Sequence, residues 1–336
     1  MTFWNNLKLT VLNALIGASD FVLRLLRPRP APPLPQPPFT IPILLISYLP
    51  AKDGQIDIAV TGDVNGSVEA MREHVARTTE QVIAAMHEGS RYHGYRDPQA
   101  PPSLHYEIAH HLEFLEPLPT VPQPGQPTPM TDYTAILGRV NIRQWVEEWG
   151  VKEVWLWAYG GSVRGWESNM AGPYGDISNS DRDPTDLPRL SKTYTVFHFN
   201  YQRGTSEAME SRVHQIEAIL REIDYDLFWN KFVGRPGEGR CGWAHYPPNA
   251  ERDYDWANPK LVWTDIEDWT PEGHGEKKQM NCERWNCDSL TWFIFWMQNL
   301  PGLNNGITYR GRPLTNWWTF LGAFDEAMAN GLKLVG

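Results

Sequence analysis

The chain has 336 residues, of which 41% are hydrophobic and 21% charged, and this balance predicts a folded protein with a sizeable core. Its formal net charge of −10 argues against a nucleic-acid partner, because binding to phosphates needs a basic surface. The sequence has neither a glycine-rich phosphate loop nor a Walker motif, so we expect no nucleotide to bind.

Residues 1–27 are predicted to form an amphipathic helix. Polar residues recur there in alternating steps of four and three, as in Asn6, Thr10 and Asn13, and most residues between them are apolar. A charge at the centre of a membrane span costs about 2.5–3.5 kcal/mol, and Asp20 would meet that cost. We therefore expect residues 3–27 to bind a membrane surface or partner helices, with a cleaved signal peptide as the alternative.

Residues 28–38 form a proline-rich linker with seven prolines. Proline-rich chain is extended and semi-rigid, so this linker can span roughly 30 Å. It is predicted to separate the N-terminal helix from a domain that begins at residue 39.

Residues 39–228 are predicted to form an α/β body, because strand patterns alternate with helix patterns. Short apolar runs indicate strands, and apolar residues at helical spacing indicate helices. The strands are expected at 41–48, 104–112, 151–158 and 193–200, and the helices at 67–88, 134–149 and 205–223. This order favours a mainly parallel sheet with helices on both faces.

Parallel sheets bind ligands beyond the carboxyl ends of their strands. That position selects Glu167 after the third strand, and Asn200 and Arg203 after the fourth. His214 and Glu217 lie three residues apart on the following helix and thus share one face. We take Glu167, His214 and Glu217 as catalytic candidates, and Asn200 and Arg203 as substrate-binding candidates.

Residues 229–336 form a tryptophan-rich region that is expected to pack on the α/β body. Ten of the sixteen tryptophans lie there, between Trp229 and Trp318, interleaved with Asp, Asn, Pro and Gly. Rings beside carboxylates and amides suit sugar recognition, although they also suit a loop-rich core. Trp243, Asp255 and Trp256 are the candidates for binding a glycan.

Zinc and calcium are the two cofactors for which ligands are present. His214, Glu217 and His245 can supply a zinc site, although a solvated helix flank explains the first two as well. Cys241, His245, Cys282 and Cys287 fit no common zinc motif, and a disulfide with one free thiol is an alternative. Two groups of closely spaced oxygens could hold calcium or simply form turns, namely Asp181/Asp183/Asp186 and Asn249/Asp253/Asp255.

Three short runs resemble motifs of uncharacterised bacterial secreted or cell-surface α/β proteins. They are Phe199-Asn-Tyr-Gln-Arg-Gly204, Cys241-Gly-Trp-Ala-His-Tyr-Pro-Pro-Asn249 and Asn316-Trp-Trp318. No activity comes with this resemblance. It implies an extracytoplasmic or cell-surface protein, and it adds weight to Asn200, Arg203, His214, Glu217 and His245. Membrane association is expected from the predicted helix of residues 3–27.

Three functions remain open from the sequence. The first is a glycan-directed protein that hydrolyses polysaccharide or cell wall, with Glu167 as its acid or base. The second is a metal-dependent hydrolase that uses His214, Glu217 and His245. The third is a non-enzymatic surface scaffold or subunit that assembles through residues 3–27.

Overall fold

The computed structural model describes residues 31–180 and 186–336. The predicted N-terminal helix, the start of the proline-rich linker, Asp181 and Asp183 therefore lie outside the described residues. Residues 34–336 form one compact unit. Within the described part of the chain, no helix is long and apolar enough to cross a membrane.

A six-stranded, mostly parallel sheet forms the centre of this mixed α/β fold. Its strands are β1 (Phe39–Tyr48), β2 (Leu104–Phe114), β3 (Glu153–Ala158), β4 (Ser168–Gly172), β5 (Gly175–Ser178) and β6 (Tyr194–Asn200). The strand order is β2-β1-β3-β6-β4-β5. The first four strands in that order pair in parallel, whereas β4 pairs antiparallel with both β6 and β5. The expected mainly parallel sheet is thus confirmed, with an antiparallel hairpin added at one edge.

Of the four longest α-helices, three come after parallel strands in the chain and the fourth lies in the tryptophan-rich region. They are α1 (Val68–Gly89), α2 (Tyr133–Arg139), α3 (Thr205–Ile223) and α4 (Ser289–Met297). Side chains cap all four of them. Ser67 accepts the amide of Ala70 at the start of α1, and Asp132 accepts that of Ala135 at the start of α2. Glu207 accepts the Gly204 amide at the start of α3, and Asp288 accepts that of Thr291 at the start of α4. These caps fix where each helix begins, so α3 starts directly after the end of β6.

The predicted helix 134–149 is interrupted in the structure. It consists of α2 and a π-helical turn, Gln144–Glu148. The backbone of Asn141 between them has φ +53°, and this left-handed conformation ends a helix. The continuous helix predicted from the apolar spacing is therefore wrong at this point.

Shorter elements complete the described residues. Single-turn or distorted helices are Ile58–Thr61, Asp226–Val233, Ile266–Asp268, Cys282–Trp285, Thr319–Gly322 and Phe324–Ala329. Two-stranded ribbons are formed by Ala51–Lys52 with Gln55–Ile56, Thr120–Val121 with Met130–Thr131, Val262–Thr264 with Lys278–Met280, and Thr308–Tyr309 with Arg312–Pro313. Residues 229–336 thus contain few long elements.

A buried ion pair joins α3 to the centre of the sheet. The Arg212 guanidinium is 2% exposed and donates to both carboxylate oxygens of Glu153 on β3 and to the Tyr106 hydroxyl on β2. The indole of Trp155 donates to the same carboxylate at 2.7 Å. Because both charges are paired and hydrogen-bonded, they fix the position of α3 over β3.

Most tryptophan side chains are core residues. Those buried in the structure are Trp155, Trp157, Trp166, Trp269, Trp285, Trp292, Trp296, Trp317 and Trp318. In the described residues only Trp149 and Trp263 are strongly exposed. Cys282 and Cys287 form a disulfide, and Cys241 is a buried free thiol.

Candidate metal centre

A polar cavity of about 290 Å³ opens beyond the carboxyl ends of β3 and β6, where the parallel sheet predicts a site. Its lining includes Glu167, Asn200, Arg203 and Glu210. Asn200 holds the turn after β6, because its side-chain oxygen accepts the Gln202 amide at 2.9 Å. The sheet therefore brings three residues predicted from the sequence to one cavity.

His198 lies at the inner wall of this cavity, on β6. Its Nδ1 is 2.8 Å from the Tyr133 hydroxyl, which also accepts the Trp166 amide at 2.9 Å. A side chain on Gly165 would collide with the His198 ring, so the backbone can pass here only because residue 165 is glycine. Burial lowers the pKa of His198 to about 4, and its imidazole is neutral at pH 7.

Glu210, His214 and His245 converge at the edge of the cavity. One ligand atom from each lies within 4.8 Å of the other two. Glu210 and His214 are four residues apart on α3 and therefore share one face of the helix. His245 approaches from the tryptophan-rich region, with its Nε2 at 2.7 Å from Glu210 Oε1 and its ring centroid 4.6 Å from that of His214.

Glu167 orients His214 within this cluster. Its Oε2 lies 2.7 Å from His214 Nδ1, and the Asn179 amide group donates to the same oxygen. With Nδ1 bonded to a carboxylate, His214 has Nε2 available for a metal. A carboxylate on the second nitrogen of a ligating histidine fixes its tautomer and raises its basicity.

Glu167 and His214 shift each other's pKa in opposite directions. Burial lowers the pKa of His214, but the hydrogen bond to Glu167 and the charges of Glu217, Glu167 and Glu210 outweigh it, so the net shift is upward. Burial raises the pKa of Glu167, but the hydrogen bond and charge of His214 bring it below its usual value. Carboxylates thus give this part of the cavity a negative potential that favours a cation.

Glu217 lies outside the cluster, one turn further along α3. It is buried, and its Oε1 accepts the amide of Ala244 at 2.7 Å. Burial raises the pKa of this carboxyl. The sequence predicts Glu217 as the carboxylate ligand beside His214 and His245. In the structure Glu210 lies next to these two histidines, and Glu217 positions the backbone next to His245.

Indole groups hold the loop that carries His245. The Ala244 carbonyl accepts the indole N–H of Trp256 at 2.8 Å and that of Trp292 at 3.0 Å. The Gly242 carbonyl accepts the indole N–H of Trp296 at 2.9 Å. The Glu217 carboxylate accepts the Ala244 N–H. Both the N–H and the carbonyl group of the residue before His245 are therefore hydrogen-bonded to side chains.

The other substrate-binding candidates do not line the cavity. The ring of Trp243 is half-buried and stacks on Tyr246, with centroids 4.6 Å apart. Trp256 meets the His245 ring edge-on at 6.5 Å. The Asp255 carboxylate accepts the Glu251 amide at 2.9 Å and is thereby engaged in a turn.

Residues of the alternative ion sites also make contacts within the protein. The Asn249 side-chain amide donates to the carbonyls of Asn258 and Lys260, while its buried Oδ1 has no hydrogen-bond partner among the described residues. The Cys282–Cys287 disulfide uses two of the thiols that a cysteine-based zinc site would need. The cluster around His214 is therefore the better candidate for a metal.

The donor set of the cluster fits zinc. Catalytic zinc takes three nitrogen or oxygen ligands at about 2.0–2.2 Å and keeps a fourth position open. Tetrahedral geometry at those lengths separates ligand atoms by roughly 3.3 Å, so the 2.7 Å contact of Glu210 and His245 must open slightly. A side-chain rotation can supply this change, because both side chains are partly exposed.

Comparison of the chain with protein-family models and with curated proteins finds no match to either. The resemblance of its short motifs to those of cell-surface proteins therefore stays a prediction. The function has to be argued from the geometry of the site itself.

Proposed function

We propose that this protein is a metal-dependent hydrolase that holds a zinc ion with Glu210, His214 and His245. The observation that carries the proposal is the convergence of these three ligand atoms within 4.8 Å, beside a polar cavity. Two histidines and one carboxylate leave a coordination position for water, as catalytic zinc requires.

The surrounding residues support this chemistry. Bound zinc lowers the pKa of its water to about 7 and so supplies hydroxide at neutral pH. Glu167 keeps His214 Nδ1 engaged, while Glu217 and the indoles of Trp256 and Trp292 keep Ala244 in place. Hydrogen bonds thus fix the positions of the ligands, as a precise metal geometry requires.

The first test is the metal content of the purified full-length chain, measured by elemental analysis after equilibration with zinc. We expect near-stoichiometric zinc in the wild type and loss of it in His214→Ala, His245→Ala and Glu210→Gln. His105→Ala is the matched control, because His105 also contacts a carboxylate, that of Glu107 at 3.2 Å, but lies exposed on β2. Absence of zinc from the wild type would contradict the proposal.

A glycan hydrolase is the second candidate, and the presence of two carboxylates, Glu167 and Glu210, in one cavity favours it. The burial of most tryptophans makes it the weaker one, because sugar binding needs exposed rings. A panel of polysaccharides assayed with and without chelator separates the two candidates. Cleavage that survives chelation would support carboxylate chemistry, and cleavage that zinc restores would support the metal centre.

We also propose an extracytoplasmic location for the chain. The Cys282–Cys287 disulfide supports it, because disulfides persist in oxidising compartments. Helices on both sheet faces, with residues 229–336 packed on the α/β body, complete the proposed architecture. Residues 3–27 lie outside the described ranges. Their attachment to a membrane stays a prediction, and so does their assembly with partner helices in the scaffold alternative.

A further inference from the structure

Two side chains of strand β6 face the cavity from the same side of the sheet. His198 and Asn200 are two residues apart on the strand, so they point to the same face, and both line the cavity. Both are partly exposed, whereas Phe197 and Phe199, on the opposite face, are buried. The end of β6 therefore forms a polar wall of the cavity.

Hydrogen bonds assign the two ends of the Asn200 side chain. Its Oδ1 accepts the Gln202 amide at 2.9 Å, so Nδ2 is the end that remains for a ligand. A side chain on Gly160, which also lines the cavity, would collide with this Nδ2. Within the described ranges Nδ2 donates to no protein group. Asn200 is thus a hydrogen-bond donor at the cavity wall.

Tyr133 directs the proton of the His198 imidazole. The Tyr133 hydroxyl accepts the Trp166 amide at 2.9 Å and lies 2.8 Å from His198 Nδ1. Because the phenol oxygen accepts the amide, its own proton is left for Nδ1, and the imidazole proton then lies on Nε2. None of the described residues bonds to Nε2. His198 is therefore a second N–H donor that lines the cavity.

A turn brings Arg203 to the same wall. The Arg203 amide donates to the Asn200 carbonyl at 3.0 Å and so closes a four-residue turn directly after β6. Arg203 lines the cavity, and its guanidinium pairs with no carboxylate in the described part of the chain. We call His198, Asn200 and Arg203 the donor wall. Its members offer N–H groups and one positive charge.

The carboxylates of the cavity already have partners within the protein. Glu167 and Glu210 each lie 2.7 Å from a histidine nitrogen of the cluster, and Glu207 accepts the Gly204 amide at 3.1 Å. The groups that remain for a ligand are therefore those of the donor wall. A divalent ion at the cluster would add two positive charges and give the cavity a net positive charge.

A carboxylate matches the donor wall. Its two oxygens only accept, as the amide and imidazole N–H groups require, and its single charge is balanced by the guanidinium of Arg203. A phosphate dianion would bring a second charge that these donors do not balance. A neutral amide would bring N–H groups that find no acceptor at this wall.

We propose that the cavity binds a carboxylate-bearing ligand through the side chains of His198, Asn200 and Arg203. This inference stands without the proposed metal ion, although it names what the cavity beside that ion binds. It also adds His198, which the strand-end rule does not select from the sequence.

The test compares para-fluorobenzoate with its neutral isostere para-fluorobenzamide, and binding is followed by fluorine NMR. The full chain is first freed of metal by dialysis against phenanthroline, a neutral chelator that does not compete for a carboxylate site. Arg203→Gln should weaken para-fluorobenzoate about tenfold, the effect of one hydrogen bond to a charged group. In the wild type the benzamide should bind about tenfold more weakly than the benzoate for the same reason.

The Arg203 variant should keep the fold, because this side chain is exposed. Arg221→Gln is the matched control, since Arg221 is exposed on α3 but does not line the cavity. It should bind para-fluorobenzoate as the wild type does. Competition with acetate and with inorganic phosphate tests the choice of anion. Stronger displacement of the benzoate by phosphate than by acetate would overturn the assignment to a carboxylate.

Nitrogen NMR of the isotope-labelled chain tests the role of His198. Nε2 should carry the imidazole proton before ligand is added, and this proton should shift downfield when para-fluorobenzoate binds. A proton on Nδ1, or an Nε2 proton that does not respond to the ligand, would overturn the place of His198 in the donor wall.

The outcomes separate this inference from the proposed metal centre. Equal affinity for benzoate and benzamide, equal benzoate affinity in the wild type and Arg203→Gln, or no benzoate binding at all would overturn the carboxylate site and leave the metal centre standing. Absence of zinc from the wild type, with the preference for benzoate intact, would overturn the metal centre and leave the carboxylate site standing.

Discussion

The carboxylate of Glu217 accepts the amide of Ala244 at 2.7 Å, so helix α3 fixes the residue that precedes His245. The same helix carries Glu210 and His214. One helix therefore supplies two candidate ligands directly and positions the third through the backbone of another region. This arrangement explains why Glu217 is buried although it is outside the cluster.

We expect Glu217→Ala to lower zinc affinity about tenfold, within the range seen when residues that support metal ligands are removed. Glu217→Gln should have a smaller effect, because its amide oxygen can still accept the Ala244 N–H. Both are measured by competition with a chromophoric chelator. Glu222→Gln is the control, since Glu222 is exposed on the same helix. Equal affinities in Glu217→Ala and the wild type would contradict the positioning role.

Acid should destabilise the metal-free protein through His198. In the folded protein, burial lowers the pKa of His198 to about 4. In the unfolded chain, a histidine has its ordinary pKa of about 6.5. Between these values the unfolded chain binds a proton that the folded chain does not. Titration of His198 therefore does not reduce the free energy of unfolding above about pH 6.5. As the pH falls from about 6.5 towards 4, it lowers this free energy by about 3 kcal/mol at most.

The measurement for His198 is the free energy of unfolding in urea as a function of pH, with chelator present. His198→Gln should remove much of the slope between pH 6.5 and 4, because glutamine does not titrate. An unchanged slope in this variant would show that other groups cause the acid sensitivity. His105→Ala, an exposed histidine, should keep the wild-type slope.

Arg212→Met should destabilise the fold by about 3–5 kcal/mol, because it leaves the Glu153 carboxylate buried without its partner. The double variant with Glu153→Met should recover part of this loss, since it removes the unpaired charge. Urea denaturation measures both. Arg221→Met, on an exposed position of α3, should cost much less. A small effect of Arg212→Met would mean that water reaches Glu153.

Thiol counting tests the cysteine chemistry. The folded chain should react slowly with a thiol reagent, because Cys241 is buried. Unfolding without reductant should expose one thiol, and unfolding with reductant should expose three, because Cys282 and Cys287 are bonded. Mass spectrometry after alkylation gives the counts. Three reactive thiols without reductant would contradict the disulfide.

Three of the parallel strands, β1, β3 and β6, could be predicted from the sequence because they are mostly buried, whereas β2 is an edge strand with mostly exposed residues. The six residues of β3 are all buried, and a short apolar run of this kind is typical of a strand that is covered on both sides. The hairpin of β4 and β5 could not be predicted, since Ser168–Gly172 and Gly175–Ser178 are rich in Gly, Ser and Asn. Pairing with β6, rather than the composition of these segments, makes them strands.

The candidate site was predictable in part. The strand-end rule leads to Glu167, Asn200 and Arg203 because chain direction in a parallel sheet is set by topology. The four-residue spacing of Glu210 and His214 is visible in the sequence, but nothing there distinguishes it from the three-residue spacing of His214 and Glu217. Whether Glu210 or Glu217 joins His214 depends on the side from which His245 approaches α3. The tertiary structure determines that side.

The indoles that donate to Gly242 and Ala244 have a consequence for motion. Trp292 and Trp296 are fully buried, so the carbonyls next to His245 are held by the same side chains that fill the interior. The ligand loop can then open only when the interior loosens. Amide protons on both sides of His245 should accordingly exchange with solvent on the slow timescale of global unfolding rather than that of surface loops.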